Sequence, residues 1–368
     1  MMQVEPTDRL PFDDLQPVLL GLFGEVGSIM ATAKKFHREG LAYAGYRHAV
    51  EEEFGDALWY FTALCRRLKI RVDEVLAGAT SGETDTTAIP GDHPLNTPIS
   101  HVATPLTAPG LDAALLRLGE AAAGLFVLRT SADVAHVKLA AFADSYVRAL
   151  TATRVTFTEV VRKNISKTRG RFLGSDYAGL PTFDHSFPEE ERLPGHFEIT
   201  MDQRSSGRSY LRWNGVFIGD PLTDNILDPD GYRFHDVFHF AHAAILHWSP
   251  TFRAVIKQKR KSDPKVDDAQ DGGRAIVVEE GLTTYVFSRA KELNYFEGQK
   301  SVSFDLLKTV QQFVIGYEVE ACPLSLWETA ILKGYDVFRQ VKTNSGGIIV
   351  GDRSKRTIEY RQLREDKS

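Results

Sequence analysis

Residues 21–30 read GLFGEVGSIM, and the position of one acid among them decides how the first half of the chain folds. Leu15, Val18, Leu19, Leu22, Phe23, Val26 and Ile29 follow the i, i+3, i+4, i+7 spacing of one buried helix face. Glu25 comes three residues after Leu22 and four before Ile29, so it points along that face. A carboxylate there is costly unless something charged or protonated meets it. The next helical stretch, AVEEEFGDALWYFTAL (residues 49–64), supplies its neighbours. Val50, Phe54, Ala57, Leu58, Phe61, Leu64 and Leu68 form an apolar stripe, and Glu53 and Asp56, three apart, share a face at its edge. Three carboxylates turned into one helical bundle repel one another. A hard divalent cation removes that repulsion. Mg²⁺ prefers oxygen ligands, keeps several waters and shares its shell with substrate phosphates, and facing bundle helices are one way to hold it. On this reading Glu25, Glu53 and Asp56 face one ion. The plainer alternative leaves Glu51, Glu52 and Glu53 as a solvated acidic face, with Asp56 near a helix start.

The composition is that of an ordinary soluble chain of two or three domains: 368 residues, net charge −5 and 43% hydrophobic residues. There is no apolar run of about 18 residues, so no membrane span is expected. The acidic start, MMQVEPTDRLPFDDLQ, lacks the basic-then-apolar order of a secretory signal. With only Cys65 and Cys322 and no CxxC, a reduced cytoplasmic setting is expected and thiolate metal sites are not. Mild acidity gives no strong nucleic-acid signal.

Residues 12–77 predict three or four helices, within a first unit spanning 1–77. The Gly-, Thr- and Pro-rich stretch 78–110 reads as a linker, and helical periodicity returns over a second unit at 111–175. The texture then changes. HFEITMDQ (196–203) and SYLRWNGVFIGD (209–220) alternate like strands, with Asn214-Gly215 as a hairpin turn, and GGIIVGDRSKRTIEYR (346–361) predicts a closing hairpin. Helical patterns fill the interval from about 230 to 335. The fold class expected is therefore multidomain: an all-α bundle of two tandem units, then an α+β domain over 190–368. The tandem reading rests on laying LLGLFGEVGS on LLRLGEAAAG, which pairs Glu25 with Glu120, and FGDALWYFTAL on FADSYVRALTA, which pairs Asp56 with Asp144. Any two amphipathic helix pairs would also align in part.

Glu25-x-x-Ser28, 24 intervening residues (29–52), and Glu53-x-x-Asp56 within EEFGDALWYF resemble the MazG-like all-α nucleoside triphosphate pyrophosphohydrolases, whose pattern is ExxE, a spacer, then ExxD. VVRKNISKTRGRF (160–172) is similar to their basic last helix. The resemblance covers about 12–173. It implies Mg²⁺-dependent hydrolysis of an NTP or dNTP to a monophosphate and pyrophosphate. Glu25, Glu53 and Asp56 would form the catalytic metal site, and Lys163, Asn164, Lys167 and Arg171 would contact substrate phosphates. Ser28 stands where the family has a second Glu, and Glu52 is a candidate replacement oxygen. Many such enzymes are dimers, and related dimeric dUTPases hold two units in one chain. The resemblance therefore implies either a homo-oligomer or a degenerate second unit in which Ala141 replaces the ExxD glutamate. For the basic residues the plainer alternative is a solvated helix face.

In the second half, FHDVFHFAHAAILHW (234–248) puts His235 and His239 on one helical face with His242 a turn further, and RAIVVEEGLTTYVF (274–287) carries Glu279 and Glu280 in an apolar helix. Two His at i, i+4 plus a distant carboxylate make a Zn²⁺ ligand set. HDVFH resembles HExxH with Asp236 for Glu, and EEGLTTYV looks like the glutamate helix of gluzincin metallopeptidases. That resemblance favours Glu280 as third ligand, with Glu279 left open. Core or interface histidines are the plainer alternative. KQKRKSDPKVDDAQDGGR (257–274) reads as a solvated charged loop, although its run Lys257, Lys259, Arg260 and Lys261 could also meet phosphates or nucleic acid. Two further functional readings stay open. One is a metal-dependent hydrolase or peptidase centred on the second half, with the first half sensing nucleotides. The other is a nucleotide-binding protein whose site has decayed at Ser28.

Overall fold

The computed structural model describes residues 4–78, 110–172 and 179–363, and leaves the side chains of 5, 6, 78, 166 and 169–172 outside the described set. The expected linker at 78–110 therefore lies almost wholly outside the described residues, as does the side chain of Arg171. The chain divides into two compact units, Met1–Leu173 and Gly174–Ser368. No described helix is long and apolar enough to cross a membrane.

The first unit is helical: α1 (Val4–Thr7), α2 (Gln16–Glu39), α3 (Tyr46–Arg67), α4 (Val72–Gly78), α5 (Leu111–Gly124), α6 (Ala135–Ala152) and α7 (Phe157–Phe172). A turn using Gly40 (φ 54°) and Gly45 (φ 83°) links α2 to α3. So short a connection returns the chain alongside itself. Val18, Leu19, Leu22, Val26 and Ile29 of α2 are buried against Val50, Phe54, Ala57, Phe61 and Leu64 of α3. Phe23 is a correction: it is 42% exposed, with its ring centroid 5.2 Å from that of Phe126. One residue beyond Leu22 turns it about 100° round the helix, out of the buried stripe. The helix α5 packs on α6, and α2 meets α5. The contacts α3–α7 and α4–α6 complete one continuous apolar core.

The second unit is α+β. Its five strands are β1 (His196–Gln203), β2 (Ser209–Trp213), β3 (Val216–Leu222), β4 (Gly346–Asp352) and β5 (Thr357–Arg361). They form an antiparallel sheet in the order β3-β2-β1-β4-β5. Asn214 (φ 48°) and Gly215 (φ 79°) turn β2 into β3, the positive-φ pair that a two-residue hairpin needs. Phe197, Ile199 and Met201 face inward on β1 and alternate with Glu198 and Thr200. Helices lie between the strands in sequence: α8 (Asp236–Ala241), α9 (Pro250–Ile256), α10 (Pro264–Gln270), α11 (Gly273–Glu292), α12 (Phe304–Phe313) and α13 (Leu324–Asn344). Both α8 and α13 pack on β4 and β5, and they approach each other at Gly334, where a Cβ would sit 3.1 Å from that of Ala241.

Buried ion pairs lock this unit and revise two expectations. Asp184, 2% exposed, accepts from Arg253 at 2.7 Å, Arg353 at 2.8 Å and the Leu193 amide at 2.9 Å. The unit thus begins ahead of residue 190. The basic run is solvated only in part: Lys257 and Lys261 are exposed, and Arg260 is not. Arg260 is 0% exposed and is held by Asp271, Glu318 and the Phe183 carbonyl. Asp263 caps α10 instead of merely solvating a turn. An arginine with two carboxylates and a carbonyl around it has its donors satisfied, which is what permits its burial.

His247 ends the helix that follows α8, and its Nε2 donates to the Arg353 carbonyl at 2.9 Å. Burial, reinforced by Arg353 and Arg356, brings its pKa down to about 4. The folded state therefore resists the proton that the unfolded chain accepts near pH 6.5. The resulting stability is complete above that value and is lost as the pH falls toward 4, by on the order of 3 kcal/mol at most. His247→Asn, which suits the left-handed φ of 61°, is expected to flatten this acid limb in urea titrations run between those pH values. An unchanged slope would show that His247 does not contribute.

Candidate functional site

The structure gathers titratable groups in each unit. In the first, one carboxylate oxygen from each of Glu25, Glu53 and Asp56 lies within 4.8 Å of the others, all three side chains being partly buried. Glu25 comes from α2, and Glu53 and Asp56 from one face of α3, well inside that helix. Asp56 is thus not at a helix start. Two glycines permit the approach of the surrounding groups. A Cβ on Gly21 would sit 2.1 Å from the Tyr60 ring, and one on Gly55 would sit 3.1 Å from the Asn164 Cβ. Burial and the charges of Glu25 and Asp56 push the Tyr60 phenol upward. Burial, with Asp56, does the same to Tyr146, whose hydroxyl donates to the Phe54 carbonyl at 2.8 Å.

The helix α7 lays its polar face along these acids. Asn164 Nδ2 donates to Asp56 Oδ1 at 3.3 Å, and Lys167 Nζ reaches Glu52 at 2.8 Å and Asp56 at 2.5 Å. Lys163 donates to the His48 carbonyl at 2.7 Å and stands 3.4 Å from Glu51. Burial lowers the pKa of Lys163, with Glu51 opposing. These three residues are therefore not a solvated helix face. Glu52 is taken by Lys167 and lies outside the three-acid cluster, and Ser28 is half-buried on α2. Of the acids aligned from the second helical block, Glu120 is exposed and Asp144 pairs with Arg148 at 2.8 Å.

In the second unit His235, His239 and Glu280 offer ligand atoms within 4.8 Å of one another, as do His239, His242 and Glu279. His235 Nε2 is 3.5 Å from Glu280, and His239 Nε2 is 3.2 Å from it. His239 Nδ1 is 3.1 Å from Glu279 Oε1, and His242 Nδ1 is 2.9 Å from the same oxygen. Glu279 is wholly buried. Its other oxygen accepts from the Ser249 hydroxyl at 3.1 Å and the Thr251 amide at 3.0 Å. Ser249 is the N-cap of α9, so the carboxylate also satisfies an amide that a helix start leaves without a partner. Burial alone would raise Glu279, but attraction from the nearby His239 and His242 imidazoles outweighs it and brings the pKa down to about 2. Burial would likewise lower His239, yet Glu279 and Glu280 together raise it well above the ordinary imidazole value. Asp236 is buried at the first position of α8. A π-turn over His242–Leu246 follows, a distortion frequent at functional sites.

Sequence reasoning paired the right helices here. It left Glu279 as a mere alternative to Glu280 and missed Ser249 and Thr251. Ser249-Pro250 is a helix-start signature, the one cue that an amide donor waits near residue 251.

A family model described as the MazG C-terminal domain matches residues 178–364. No curated protein and no solved structure matches the chain.

Packing at Gly55 can be tested directly. Gly55→Val should force α7 from α3, cost about 1–3 kcal/mol as overpacking does, and lower the thermal midpoint. Gly24→Ala, at a helical position with nothing within 4 Å of the added Cβ, should raise it by the helix-propensity difference of about 1 kcal/mol. Equal midpoints for the two variants in circular-dichroism melts would contradict the close α3–α7 approach.

Proposed function

The chain belongs to the family of the MazG C-terminal domain, and from that premise we propose that its helical half is a Mg²⁺-dependent nucleoside triphosphate pyrophosphohydrolase. The observation that carries this reading is the convergence of Glu25, Glu53 and Asp56 within 4.8 Å. The donor set suits a hard cation: three carboxylates, all oxygen, drawn from two adjacent helices and partly buried. When bound, Mg²⁺ would supply positive charge against the charge that develops on the phosphoryl oxygens.

The chain's own residues divide the remaining work. Glu25 and Asp56 hold the ion. Glu53, beside them, holds it as well or orients the attacking water and receives its proton. Lys163, Asn164 and Lys167 lie on the acids' flank and would turn toward the triphosphate. There they bind anionic oxygens and position the α-phosphorus for attack, with pyrophosphate as leaving group. Lys167, which pairs with Asp56 and Glu52, is a counter-charge for the acids that substrate and ion would replace. Ser28 in place of a second ExxE acid leaves three carboxylates, enough for one ion that keeps its waters.

The test is product analysis of the full chain with a panel of NTPs and dNTPs. Pyrophosphate and the monophosphate are expected with Mg²⁺, and neither with chelator. Glu53→Gln and Asp56→Asn should each lower turnover at least about 100-fold with the helical dichroism unchanged. Orthophosphate as product, or near-normal turnover in both variants, would overturn the assignment.

A further inference from the structure

The second unit carries a cluster that the proposed reaction does not use. His235 Nδ1 lies 2.9 Å from the Tyr232 carbonyl. A carbonyl only accepts, so Nδ1 carries a proton, which leaves Nε2 as the nitrogen that can bind an ion. The ring is held by stacking on Tyr232, centroids 4.3 Å apart and planes 5° from parallel. His239 is arranged the same way: its Nδ1 lies 3.1 Å from Glu279 Oε1. Glu279 is immobilised in turn by His242, Ser249 and the Thr251 amide. Each Nε2 is turned toward Glu280, so an ion seated between them would take a lone pair from each ring and displace any proton there.

His239 adds a second, independent sign. It is 1% exposed, yet neither of its ring nitrogens makes an aligned hydrogen bond, although each has a carboxylate within 3.2 Å. Buried polar atoms in that state call for a partner. The Glu280 oxygens stand 3.5 and 3.2 Å from His235 Nε2 and His239 Nε2. Ligands about 2.0–2.1 Å from one tetrahedral ion stand about 3.3 Å from each other.

We infer that His235 Nε2, His239 Nε2 and Glu280 hold one divalent ion of the zinc class, and that Glu279 is the outer carboxylate fixing the His239 ring. The two triads share His239, so a single ion binds, not two. Nitrogen donors select such an ion over Mg²⁺. Three protein ligands leave a fourth position for water or an anionic oxygen. The Glu280 side chain is 36% exposed, which gives that position access to solvent.

The experiment uses the full chain without a histidine tag. It is loaded with Zn²⁺, dialysed against excess Mg²⁺, and the retained zinc is counted by elemental mass spectrometry. Co²⁺ absorption reads the geometry. One zinc per chain and a tetrahedral cobalt spectrum are expected. His235→Gln and Glu280→Gln, at the less buried positions, should weaken zinc binding at least tenfold with wild-type dichroism, and Glu279→Gln about 10–100-fold. No retained zinc, two zinc ions per chain, or binding unchanged in folded His235→Gln and Glu280→Gln would each overturn the inference.

Discussion

A carboxylate held beside other carboxylates in a protein interior needs a cation, and both units are organised around that need. Two unit negative charges 4 Å apart repel by roughly 4 kcal/mol in the partly screened surroundings of a protein surface. That is a large fraction of a domain's net stability. In the helical unit, α2 and α3 bring Glu25, Glu53 and Asp56 together regardless. Gly55 then admits α7 closely enough for Asn164 and Lys167 to reach Asp56. In the second unit the wholly buried Glu279 is met by two imidazoles, a hydroxyl and a backbone amide. Neither arrangement improves the apolar core. Each spends stability on keeping acids in place, which is how sites differ from packing.

The two clusters offer donor sets suited to different ions. Oxygen donors alone, with lysines beside them, suit an ion that keeps its water and shares phosphate oxygens. Imidazole nitrogens with their second nitrogen anchored suit a softer ion held by the protein itself. The family membership rests on the second unit, and the proposed chemistry on the first. One chain would then pair a phosphate-handling bundle with a domain whose ion has another task.

Much of this was legible in the sequence because periodicity reports burial. The stripe from Val18 to Ile29 and the alternation of Phe197, Ile199 and Met201 read directly as helix and strand, and Asn214-Gly215 marked its turn. The i, i+4 histidines and the acids of α11 were recognisable as partners because neither belongs in an apolar face. What stayed hidden depends on contacts far apart in sequence. Arg260 looked like one cation in a charged loop, and only Asp271 and Glu318 make it a core residue. Asp184 lies 169 residues from Arg353, so nothing local says that the second unit starts before it. Glu279 and Glu280 are neighbours in sequence, and only the fold sets them against different nitrogens of His239.

The central claim, that the three acids of the helical unit form a cation site, is tested most directly by anomalous scattering from crystals of the full chain grown with Mn²⁺, a hard ion with a usable absorption edge. The account predicts a manganese peak bonded by carboxylate oxygens of Glu25, Glu53 and Asp56, with Lys167 withdrawn from Asp56. An unliganded acid cluster with Lys167 still on Asp56, and manganese only at exposed acids elsewhere, would contradict it.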